Sequence, residues 1–146
     1  LHADSVDTVI KRLETPPIEL SPTLLNVLDC ICIMTHAIAQ KQETRKLREI
    51  VEIINVTPEG IAVTNTPFVW NPAEDQFYFK KNSKILEKIS KRFGISNEEL
   101  EAEFLRRVKL LYKLYEEKVF GFEKFQDVVT QYYKKPAEIL NQYGIE

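Results

Sequence analysis

Apolar residues recur at helical spacing in some stretches of the chain and at strand spacing in others. Val6, Val9, Ile10 and Leu13 fall on one face of a short helix that Ser5 can cap and that Pro16 and Pro17 end. Ser21 followed by Pro22 has the form of an N-cap with proline at the first helical position, and predicts a helix to about Leu28. Cys30, Ile31, Cys32, Ile33 and Met34 make an unbroken apolar run, the pattern of a strand buried on both faces. Residues 47–56 are rich in Ile and Val. Thr57, Pro58, Glu59 and Gly60 then form a turn in which proline sets an early φ and glycine permits a positive φ late. Residues 61–65, 68–70 and 77–79 continue as short runs separated by Pro67 and by Asn71-Pro72, so three or four antiparallel strands are expected there.

The remainder has helical periodicity. Ser83 or Asn82 opens a helix whose Ile85, Leu86, Ile89 and Phe93 face inward, with Gly94 as a left-handed stop. Ser96 and Glu99 have the spacing of a capping box. The helix they open carries Leu100, Phe104, Val108, Leu111, Tyr115 and Val119 on one stripe, and Gly121 breaks it. Phe122, Phe125, Val129 and Tyr132 mark a third helix, and Pro136 starts a fourth that ends before Gly144. The fold class is α/β in the broad sense, a mixed α+β chain. An antiparallel β meander lies within residues 1–80, and residues 81–146 form a small helical tail.

Composition narrows the class. The 146 residues have the length of one ordinary domain, with or without an appendage. Twenty basic against 22 acidic side chains leave a net charge of -2, so there is no global attraction to nucleic acid or anionic lipid. Two cysteines make no disulfide framework and suit a reducing compartment. The longest apolar stretch, residues 24–34, is interrupted by Asn26 and Asp29 and is too short to cross a bilayer. The first thirteen residues carry acids and lack the apolar core of a signal peptide. The chain opens on Leu1, which is expected of a processed chain or a piece of a longer one.

Self-sufficient catalytic motifs are missing from the sequence. It contains no G-x-x-x-x-G-K-[ST], G-x-S-x-G, H-E-x-x-H or G-x-G-x-x-G. Cys30, Cys32 and His36, with His2 elsewhere, suggest a zinc site, but a C-x-C in a core strand has no turn to wrap a metal, so buried apolar cysteines and no metal are expected. His36 has no carboxylate near it in sequence and is read as structural. Residues 89–107 have the form of a helix-turn-helix. The would-be recognition helix, however, opens with Glu98, Glu99, Glu101 and Glu103, which would repel phosphates, so no nucleic-acid partner is expected. Lys80, Lys81, Lys84, Lys88, Lys91 and Arg92 make a basic face on the preceding helix, which is either a solvated surface or a contact for a protein or acidic lipid.

His2-Ala3-Asp4-Ser5, followed by Val9 to Leu13 and Pro17-Ile18, resembles the His box and following helix of the secretion-superfamily ATPases. These are the hexameric motors of type II secretion, type IV pili and the archaellum. The archaeal branch is most similar, and residues 45–56 with residues 68–72 resemble the paired strands that follow in its members. The tail, residues 85–143, resembles their helical C-terminal domain. In this family the Walker A loop, the Asp box and the Walker B segment precede the His box, so the resemblance implies the C-terminal portion of a P-loop motor. It implies that His2 approaches the nucleotide phosphates in the parent motor, with Asp4 and Ser5 orienting it and capping the helix. Arg12 also matches a family position. Where Arg45-Lys46 stands, the nearest family pattern has two arginines. ATP and Mg2+ are implied as cofactors of the parent protein, with none expected for this segment alone. The implied partners are the other subunits of a hexamer and a polytopic membrane platform protein, for which Lys84, Lys88 and Lys91 are the candidate contacts. The implied location is cytoplasmic, peripheral at the inner face of the cell membrane. The reading from another class is a non-enzymatic helical interaction module.

Overall fold

A computed structural model describes residues 3–39, 42–80 and 82–145. The chain forms two units, Leu1–Ile89 and Ser90–Glu146. The division falls inside a helix, nine residues after the change from strand to helical pattern expected at 80/81. The architecture is mixed α+β, with a four-stranded antiparallel sheet and several helices.

In the first unit, helix α1 (Val6–Glu14) begins where Ser5 accepts from the amide of Thr8. Its Ile10 is buried with Leu25 and Val56, and Val6, Leu13, Leu28 and Ile53 pack around them. Pro22–Val27 is a single 3-10 stretch rather than an α-helix, and Ser21 makes no side-chain cap bond to it. Ser21 Oγ instead meets Thr23 Oγ1 at 2.9 Å. Asn26 is a structural pin: its amide accepts from Val56 N at 2.6 Å and donates to Val56 O at 3.1 Å, closing the backbone at the end of the sheet.

The sheet has the order β1-β2-β3-β4, formed by Cys30–Ala39, Gln42–Val56, Ala62–Asn71 and Gln76–Phe79. The expected meander is β2 to β4, and the Cys30 run pairs with it as β1. Pro67 does not divide two strands: β3 continues past it, with the register to β2 shifting between Ile50 and Glu52, opposite Thr66 and Pro67, and the ring buried. The turn after β2 is as expected. Gly60 has φ of 79°, its amide donates to Thr57 O, and a Cβ there would sit 2.6 Å from Glu14 Oε1.

β1 corrects the sequence reading. It lies at the edge of the sheet, and its residues alternate between a sheltered and an exposed face. Cys30 and Cys32 are exposed rather than buried.

Helix α2 (Lys84–Phe93), in which the division falls, ends at Gly94, whose φ of 66° supplies the left-handed stop. Ser96 and Glu99 form the full capping box of α3 (Asn97–Glu116). The expected stripe is only in part a core face. Phe104, Val108, Leu111 and Tyr115 are exposed and Leu100 is half-buried, while Val119, past the end of the helix, is buried in one cluster with Leu110, Leu114, Val128, Tyr132 and Ile139. Helix α3 stops at Glu116, and Lys118 takes the left-handed turn with φ of 56°. Gly121 is the N-cap of α4 (Phe122–Lys134) rather than the breaker of α3. Pro136 opens α5 (Pro136–Gln142) as expected. Glu103 ties α3 to α4 by accepting from Tyr132, and it also accepts from Arg106 and Arg107 of its own helix; the Arg107 guanidinium lies 5.8 and 5.5 Å from the rings of Tyr132 and Tyr133.

Candidate functional site

The N-terminal motif and the sheet meet at Arg48. Across β1 and β2, Ile33 faces Glu49 and Met34 faces Leu47, so Arg48 is an extra residue with no opposite number. Such a bulge re-aims a side chain. Arg48 Nη2 donates 2.7 Å to the carbonyl of Asp4 and 2.8 Å to Glu49 Oε1. The backbone at Asp4 is thereby fixed to the sheet. Asp4 and Ser5 form one cluster: Thr8 Oγ1 donates to Asp4 Oδ1 at 3.1 Å and lies 2.7 Å from Ser5 Oγ, which accepts from the Thr8 amide. His2 lies outside the described residues. Arg12 is in the last turn of α1, away from this cap.

Arg48 and Glu49 also line an open cleft of about 740 Å³ with Thr35, Ala37, Val69, Trp70 and Asp75. Its far wall is a second polar set. Asp75 accepts from Lys46 at 2.8 Å and from the Trp70 indole at 2.9 Å, and these two donors hold its carboxyl below the ordinary value. Lys46 also lies 5.9 Å from the Trp70 ring centre. Both signs of charge are present and already paired, which is not the donor-rich cradle that a triphosphate requires. The imidazole of His36, at the rim, makes no hydrogen bond among the described residues.

On the sheet near the start of α2, Glu52 is a buried carboxylate that sequence reasoning missed. Only 2% of it is exposed. It accepts from Ser83 Oγ, from Asn65 Nδ2 at 2.7 Å and from the Lys84 amide at 2.7 Å, with the Ile85 amide beyond. Burial alone would raise its pKa, but the donors from Ser83, Asn65, Lys84 and Ile85 together hold the carboxyl below the ordinary value. A strand residue thus supplies the anion at a helix N-terminus, where the dipole favours negative charge. The signal in the sequence was faint: one Glu in a run of Ile and Val.

The lysines proposed as a docking face are partly spent. Lys84 pairs with Glu87 at 2.9 Å and Lys88 with Asp29 at 2.8 Å, whereas Lys91 makes no ion pair among the described residues. No group of three His, Cys, Asp or Glu side chains that could hold a metal ion occurs among the described residues. Partial desolvation, with Cys32 and Asp29 beside it, pushes the thiol of the exposed Cys30 up, toward the protonated form. No helix is long and apolar enough to cross a membrane among the described residues.

No family model matches the chain. It is similar to two uncharacterized proteins of Methanocaldococcus jannaschii. The chain is 31% identical over 133 residues to uncharacterized protein MJ1287, which covers 90% of this chain and 49% of that protein. It is 28% identical over 141 residues to uncharacterized protein MJ0781, covering 96% of this chain and 20% of that protein. The chain therefore spans half or less of the length of these curated relatives.

Proposed function

We propose that the chain is the His-box and C-terminal part of an archaeal secretion-superfamily ATPase, a hexameric motor for secretion, pilus or archaellum assembly. The observation that carries this reading is the Arg48 contact to the Asp4 carbonyl, which anchors the His-box segment on the sheet beside a capped helix. In the motor, an imidazole at His2 donates to the terminal phosphate of ATP and couples hydrolysis to subunit movement. Asp4 and Ser5 hold the turn that follows it. The phosphate cradle belongs to a longer chain, consistent with the greater length of both relatives. The P-loop motif that would hold ATP and Mg2+ is not in this sequence and would lie in that other part. The motor would dock on a polytopic membrane protein from the cytoplasmic side.

The test begins with the isolated chain. It should release no phosphate from ATP above background. Turnover that survives purification and disappears in His2→Ala would contradict the reading.

A non-enzymatic interaction module is the second reading, favoured by the apolar surface of the second unit. Leu111, Tyr115, Phe120 and Phe122 line an open hollow of about 410 Å³. Capture of a membrane-protein segment that is lost on reversing Lys84, Lys88 and Lys91 would support it without any role for ATP.

A further inference from the structure

Strand β1 has the composition of an inner strand in the position of an edge strand. Its ten residues, CICIMTHAIA, contain no charged residue, no proline and no glycine. Runs of this kind belong to strands covered on both faces and flanked on both sides. Edge strands in stable proteins are instead short, bulged away, or guarded by lysine or proline, because an open row of amides and carbonyls pairs with any strand that reaches it. The opposite edge of this sheet follows that rule. β4 is only four residues long and sits between Asp75 and Lys80. β1 is ten residues long without lysine or proline, and the bulge at Arg48 lies in its inner neighbour β2 rather than in β1 itself. It pairs with β2 alone, and no backbone hydrogen bond outside that pairing involves residues 31–39 among the described residues. On its exposed face Met34 and Ile38 are 56% and 81% accessible, so the apolar side chains of an inner strand also lack their cover.

We infer that the free edge of β1 is completed by an extended, uncharged β-strand from the remainder of a longer chain that contains this segment. Main-chain hydrogen bonds supply the attachment, and alternate apolar side chains of the incoming strand lie beside Cys32, Met34 and Ile38. The choice of occupant rests on length, since both relatives extend well beyond the region they share with this chain. It shares with the motor reading only the premise of a longer chain, and needs no nucleotide.

Amide hydrogen exchange over residues 31–38 tests this directly. In the isolated chain the outward-pointing amides, roughly half of them, should exchange fast. In a fusion that places the chain in its matching region of the first M. jannaschii relative, those amides should slow by at least about tenfold, while residues 76–79 stay unchanged. Met34→Lys should leave the isolated chain folded and remove the protection in the fusion. If the fusion fails to fold, the intact relative compared with its own matching segment reads out the same contrast. Absence of extra protection in the longer chain overturns the inference. So does protection that appears in the isolated chain across a roughly hundredfold rise in its concentration, which would make the occupant a second copy. ATP turnover measured on the same fusion separates the two claims: protection without turnover sinks only the motor reading, and turnover without protection sinks only this one.

Discussion

Glu52 concentrates more structural work than any other side chain described. Its carboxylate serves Ser83, Asn65 and two amides at the start of α2, so removing it strands several donors at once. Glu52→Ala should destabilise the first unit by about 3 kcal/mol, from lost charge-assisted bonds and unsatisfied groups. The pH dependence follows from the lowered folded-state pKa. The stabilisation is fully present above the ordinary carboxylate range and is lost as pH falls through the folded value below it. Acid titration of the unfolding midpoint should show this loss, and the loss should be absent in Glu52→Gln. An unchanged acid limb in the variant would contradict the assignment. At this scale the sequence was legible where a residue acts on its near neighbours. Ser5, Ser96 and Gly94 do what local chemistry requires of them. It was not legible for Asn26 or Arg48, which reach backbone partners 30 and 44 residues away, or for Glu52, whose partners lie 13 to 33 residues away.

Among the elements, α3 and β1 depart furthest from expectation, for one reason. Periodicity states that a stretch has an apolar face, but not which neighbour covers it. Helix α3 has two adjacent apolar faces, and Phe104, Val108, Leu111 and Tyr115 of the more regularly spaced one are exposed. The core forms instead where Leu110 and Leu114 meet Val128 and Ile139 of α4 and α5. Leu114→Ala should therefore cost about 3 kcal/mol, and Leu111→Ala less than about 1 kcal/mol. Denaturant midpoints of the two variants check this, and equal losses would return the stripe to the core. The same ambiguity turned an apolar run into a presumed buried strand at β1. The run is a strand, as expected, but it lies at the edge of the sheet, with β2 as its one partner among the described residues.

For the whole molecule, the mixed α+β class and the order of meander then helices follow from the sequence pattern and are present in the structure. The candidate site was only partly legible. Asp4 and Ser5 do form one capped turn, Arg12 lies apart from it, and the lysines on α2 largely neutralise nearby carboxylates. What the chain contributes to a larger machine is a matter of the motor reading. Its most direct test is ATP turnover by the longer fusion with and without His2→Ala. A group that donates to charge developing on a phosphate is worth on the order of 100-fold in rate, so the substitution should lower turnover by about that factor while leaving the sheet folded. A fusion that turns over ATP equally well without His2 would contradict the account.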